Sequence, residues 1–124
     1  MPMKSILLVG FGGMVGSILR YLCSILIKQS PFPLATFSVN IFGSLIIGLV
    51  MGWAIKQPES ANWQLFLATG ICGGFTTFSA FAWENLQLLN QQRYLHFAIY
   101  VGGSIILSII SVAFGYWLTN KSIL

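Results

Sequence analysis

Three stretches of this chain run without a charged side chain for longer than a helix needs to cross a membrane. Twenty-seven residues separate Lys28 from Lys56, 24 separate Glu59 from Glu84, and 24 separate His96 from Lys121. About 20 apolar residues in a helix cover the roughly 30 Å hydrocarbon layer of a bilayer. Backbone polar groups have no water to bond there, so a spanning segment must satisfy itself as a helix. A further stretch, from about Ser5 to Ile27, spans if Arg20 is accommodated within it. Four helices are predicted, at about 5–27, 34–55, 63–89 and 95–118, within a single transmembrane domain covering 1–124. The expected fold is an all-α membrane protein.

Composition closes off the alternatives. Only 6% of residues are charged and 56% are hydrophobic, whereas a soluble domain carries about a quarter charged residues. Too few groups remain to solvate a globule, which excludes a soluble enzyme and a nucleic-acid binder. The net charge of +4 comes from Lys4, Arg20, Lys28, Lys56, Arg93 and Lys121 against Glu59 and Glu84. The cations are scattered and read as membrane-edge anchors. Cys23 and Cys72 lie in apolar stretches, where free cysteine acts as a small hydrophobe. His96 has no partner at ligand spacing and is taken as an interface residue. The apolar run after Lys4 lacks a small-x-small cleavage site, so it is read as a retained helix.

The connectors are short and polar. The first, Lys28-Gln29-Ser30-Pro31-Phe32-Pro33, carries two prolines that end the first helix. With four spans, Lys4, Lys56 and Lys121 share one side of the membrane and Lys28 and Arg93 the other. Lys and Arg bias sets orientation, and three against two gives almost no instruction. Either insertion direction fits.

Polar groups inside a span are costly and default to functional candidates. In the first helix Gly12, Gly16 and Arg20 are spaced by four, a small-residue seam with a cation beyond it. Arg20 reads either as a snorkelling anchor or as part of an anion-attracting vestibule. In the second, Asn40, Ser44, Gly48 and Gly52 form a stripe. The Asn40 amide offers uncharged N–H donors, suited to holding an anion that must also leave or to an interhelical bond. The third contains Gly70-Ile71-Cys72-Gly73-Gly74-Phe75-Thr76-Thr77-Phe78-Ser79-Ala80-Phe81, where glycine weakens the helix and a break near the midplane is predicted. Phe78 and Phe81 share a face, and their ring edges carry the positive end of the quadrupole. In the fourth, Tyr100, Ser104 and Ser108 repeat every four residues. Glu84 is placed either at headgroup level or at a pore mouth.

Three blocks together resemble the CrcB/Fluc fluoride channel family. They are Gly12-Gly13-Met14-Val15-Gly16-Ser17-Ile18-Leu19-Arg20-Tyr21, then Thr36-Phe37-Ser38-Val39-Asn40-Ile41-Phe42-Gly43, then Gly70 to Phe81. The chain departs from the family pattern at Ala35, usually glycine, and Ala80, commonly a hydroxyl. The resemblance implies fluoride-selective passive efflux across a bacterial inner membrane, through an antiparallel, dual-topology homodimer with two pores. It implies fluoride contacts at Asn40, Phe78 and Phe81, and a polar track through Tyr100, Ser104 and Ser108. It places Arg20 in the vestibule and a structural Na+ on the backbone carbonyls of Gly73 and Thr76 from both subunits. Fluoride and membrane lipid are then the partners, and no enzymatic activity is expected. The alternative is a small proton-coupled multidrug exporter, which needs a membrane-embedded carboxylate; the first helix has none and Glu84 comes late in the third.

Overall fold

A computed structural model describes residues 2–121 and, among them, contains helices and no strands. Helix α1 runs over Met3–Leu26 and α2 over Leu34–Ala54. The third span, Ala61–Asn90, is composite. It opens with a short α3, Ala61–Trp63, and widens into a π-helix over Gln64–Cys72. It narrows again in α4, Gly73–Phe75, and resumes after a break as α5, Ser79–Asn90. Helix α6, Tyr94–Asn120, completes the bundle. All four spans are long and apolar enough to cross a bilayer.

Glycine decides which helices touch. Gly12 and Gly16 on α1 are buried against the π-helix and α4. A methyl group built on Gly12 would sit 2.8 Å from Gly70 Cα, and one on Gly16 would sit 2.8 Å from the Phe75 amide nitrogen. Only small residues permit backbones this close, as expected where van der Waals contact, not water exclusion, drives helix association in lipid. A second such seam joins α2 to α6, with Gly48 and Gly52 against Val112, Tyr116 and Thr119, and Gly115 against Leu45 and Leu49. Along both seams residue numbers rise together, so the first and third spans run parallel, as do the second and fourth. That is the up-down-up-down order short connectors impose.

The outer surface inverts the soluble pattern. Leu7, Phe11, Ile18, Leu22, Ile106 and Ile110 are exposed, while the buried set includes Thr36, Asn85 and Ser104. This is a multi-pass membrane protein whose apolar side chains face lipid and whose polar side chains face one another. Lys56 Nζ donates to the Asn120 carbonyl at 2.7 Å, tying the ends of α2 and α6 together. Phe32 of the first connector packs edge-on against Phe37 and Tyr100, with ring centroids 5.3 and 5.5 Å apart.

Candidate functional site: the broken third span

The third span breaks at Thr76–Phe78, close to its centre. Thr76 is extended, with φ −85° and ψ 158°, which turns the chain out of α4. Freed backbone groups at this depth need partners inside the protein, and three side chains supply them. Asn40 Oδ1 accepts from the Thr77 amide at 2.8 Å, while Asn40 Nδ2 donates to the Thr77 carbonyl at 3.1 Å. The pair fixes the orientation of the amide, because only its oxygen can accept an N–H. Arg20 Nε reaches from α1 to the Gly74 carbonyl at 3.1 Å. Thr77 Oγ1, one residue before the Phe78 N-cap, accepts from the Ala80 amide in the first turn of α5 at 3.2 Å.

Two carbonyls are released by the same geometry. In an unbroken helix the Thr77 amide would serve Gly73 and the Ala80 amide would serve Thr76. Both amides are diverted, to Asn40 and to Thr77 Oγ1 respectively. Gly73 lies on the exposed side of the break and Thr76 is half-buried beside it.

Next to the break is a hollow of about 520 Å³. Asn40 and Ser44 of α2 line it, with Gly73, Thr76, Thr77, Phe78 and Phe81 of the third span and Ser104 and Ser108 of α6. Most polar candidates from the sequence therefore converge on one space. The Ser44 hydroxyl is spent on the Asn40 carbonyl at 2.7 Å. The Ser104 hydroxyl is buried and without a hydrogen-bond partner. Leaving such a group unpaired costs about 1–3 kcal/mol, and this one lies on the wall of the hollow. Phe78 is 78% exposed and Phe81 is buried, with ring centroids 5.6 Å apart.

Two candidates stand apart from this wall. Tyr100 lies behind Phe81 at a centroid distance of 4.9 Å and is wholly buried. Arg20 approaches the break from α1 and not from the hollow.

Sequence reading left Glu84 open and passed over Thr36. The structure joins them: Tyr100 Oη donates to Glu84 Oε1 at 2.7 Å, and Thr36 Oγ1 donates to Glu84 Oε2 at 3.0 Å. Thr36 stands one helical turn before Asn40 and Glu84 one turn after Phe81, so continuing each stripe by four or three residues finds both. Asn85 was also missed. Its Nδ2 donates to the Phe81 carbonyl at 2.9 Å while its Oδ1 is buried without a partner. Among the described residues no cluster of three or more His, Cys, Asp or Glu exists that could hold a metal, so a cation here would depend on carbonyls.

The family profile described as "CrcB-like protein, Camphor Resistance (CrcB)" matches residues 7–116. The chain belongs to the CrcB family. Its relatives match over most of their length. A protein of Phocaeicola vulgatus named "Fluoride-specific ion channel FluC" is 43% identical, with 95% of this chain and 100% of the relative aligned. One of the same name from Flavobacterium psychrophilum is 44% identical over 88% of this chain and 91% of the relative. Another, from Campylobacter jejuni, is 42% identical over 94% of each. The CrcB match takes in most of α1, α2, the broken span and most of α6, so every residue of the site falls inside it.

Proposed function

We propose that this protein is a fluoride-specific ion channel, and that it lets fluoride leave a bacterial cytoplasm passively across the inner membrane, reducing fluoride toxicity. The supporting observation is the convergence of uncharged donors on one hollow in a chain whose relatives carry fluoride-channel names. Fluoride is small and tightly hydrated. A pore must replace its water with contacts strong enough to admit it and weak enough to release it. Asn40, with one N–H not spent on Thr77, the Ser104 and Ser108 hydroxyls and the ring edges of Phe78 and Phe81 are contacts of that grade. Tyr100, its hydroxyl committed to Glu84, backs the Phe81 ring, and Arg20 contributes positive charge beside the break.

The functional unit is proposed to be an antiparallel dual-topology homodimer. In one copy the 520 Å³ hollow is open and Phe78 is 78% exposed. A second copy against this face encloses the track and gives two pores. The nearly balanced Lys and Arg count lets copies insert both ways. The carbonyls of Gly73 and Thr76, released from helical bonding, fit a hard cation, and one pair from each copy would hold a structural Na+. Such a cation would supply the partner that the carbonyl oxygens lost when the Thr77 and Ala80 amides were diverted. The exporter alternative has no observation in its favour.

Purified protein in liposomes should release fluoride as a current and pass negligible chloride. Comparable currents for the two ions would end the selectivity claim, and absence of fluoride release would end the channel reading.

A further inference from the structure

A second hollow, of about 390 Å³, opens under the first connector. Lys28 and Ser30 stand on its lip, Gln87 of α5 and Gln91 just beyond its end line the facing wall, and Thr36 and Glu84 reach into it. Thr36 and Glu84 are bonded to each other, and Glu84 to Tyr100, which packs on Phe81 of the first hollow. The two hollows are thus separated by one layer, the Phe81 and Tyr100 rings and the hydroxyl-bound carboxylate. The lip is held in place, because Pro31 and Pro33 stiffen the connector and Phe32 between them is seated on Phe37 and Tyr100.

Lys28 and Glu84 are the charged side chains lining this second hollow. A carboxylate alone would repel a halide at the point where it must enter. A lysine on the rim, exposed, reverses the sign of the field outside without adding a cation to the inner wall of either hollow, where it would trap the ion. Resting on the fluoride reading above, we infer that the space under the first connector is an outer mouth of the conduction track, and that Lys28 is its steering residue, gathering small hard anions against the repulsion of Glu84. Gln87 and Gln91 keep the facing wall neutral.

Steering by one exposed charge is modest and dies with salt. At about 10 Å in water a unit charge changes local ion concentration about two-fold, and the Debye length falls from about 30 Å at 0.01 M to about 3 Å at 1 M salt. The test measures fluoride conductance of the full-length protein in neutral-lipid bilayers at low fluoride, with ionic strength set by an impermeant salt at 10 mM and 1 M. Lys28→Gln is expected to lower conductance about two-fold and Lys28→Glu about four-fold at 10 mM, with both differences vanishing at 1 M. Lys28→Arg restores the wild-type value. Gln87→Glu, on a different element, is expected to lower low-salt conductance in the same salt-dependent way. Wild-type conductance in Lys28→Gln at both ionic strengths would overturn the inference and make Lys28 a membrane anchor. A loss that persists at 1 M would overturn it too, by assigning Lys28 a part in folding. In either case wild-type fluoride current leaves the channel reading standing; if wild type carries none, both fall.

Discussion

Replacing Asn40 with aspartate exchanges one heavy atom, Nδ2 for an oxygen, and tests two roles at once. The retained Oδ1 can still accept from the Thr77 amide, at 2.8 Å in the wild type. The lost Nδ2 leaves a carboxylate oxygen facing the Thr77 carbonyl, where a donor now sits at 3.1 Å. A broken hydrogen bond with a buried group left unpaired costs about 1–3 kcal/mol, and a carboxylate near mid-membrane adds about 2.5–3.5 kcal/mol. The ion suffers more directly. A unit negative charge about 4 Å from a passing anion costs about 4 kcal/mol at an effective dielectric near 20, which is about three orders of magnitude in rate. Asn40→Ala separates the effects, since it frees both Thr77 groups at a cost of about 2–6 kcal/mol but adds no charge. The assay is fluoride efflux from liposomes, with size-exclusion chromatography and thermal unfolding in detergent to score assembly and stability. Both variants should unfold earlier, and only Asn40→Asp should lose nearly all flux in the folded fraction. Wild-type flux in folded Asn40→Asp protein would refute the placement of the track beside Asn40.

Four further outcomes follow. Phe78 is 78% exposed in one copy, so Phe78→Ile should leave the fold of each copy unchanged, and in the fraction that still elutes as a dimer fluoride efflux should fall at least about ten-fold, the equivalent of about 1.4 kcal/mol; unchanged efflux would mean the ring edge touches no ion. Gly16→Val should prevent α1 from seating against the Ile71 carbonyl and the Phe75 amide, costing about 1–3 kcal/mol or more through overpacking, read as monodisperse protein lost on chromatography. Arg20→Gln should retain the bond to Gly74 while removing charge, so efflux should drop more at low salt than at high, whereas a salt-independent change would make Arg20 a backbone support alone. Exchanging Na+ for a bulky organic cation during purification should lower thermal stability if the Gly73 and Thr76 carbonyls hold sodium, and identical melting in both buffers would remove the ion from the proposal.

Several site residues were legible because period and chemistry coincide. The four-residue spacing of Asn40 with Ser44, and of Tyr100, Ser104 and Ser108, is a helix face written in the sequence, and apolar surroundings make each polar group conspicuous. The glycine-hydroxyl run announced a break, since glycine weakens a helix and threonine offers an alternative bond. The place of the break was not legible. Three glycines precede it, yet the chain opens at Thr76–Phe78, where Asn40 and Thr77 Oγ1 replace the lost helical partners. The π-helix over Gln64–Cys72 has no sequence period of its own, and it is the segment against which Gly12 and Gly16 pack.

What the chain determined alone is its solvent. So little charge and four long apolar runs leave the bilayer as the only medium that satisfies them, because helices must then close their own hydrogen bonds. What the tertiary structure decided is which polar groups are occupied and which are free. Asn40, Arg20 and Thr77 hold the broken backbone, Glu84 is held by Tyr100 and Thr36, and Ser104 is left with an unused hydroxyl. Spacing along one helix fixes a face, but partners come from other helices, and glycine-mediated approach of α1 and α2 to the third span brings them within reach.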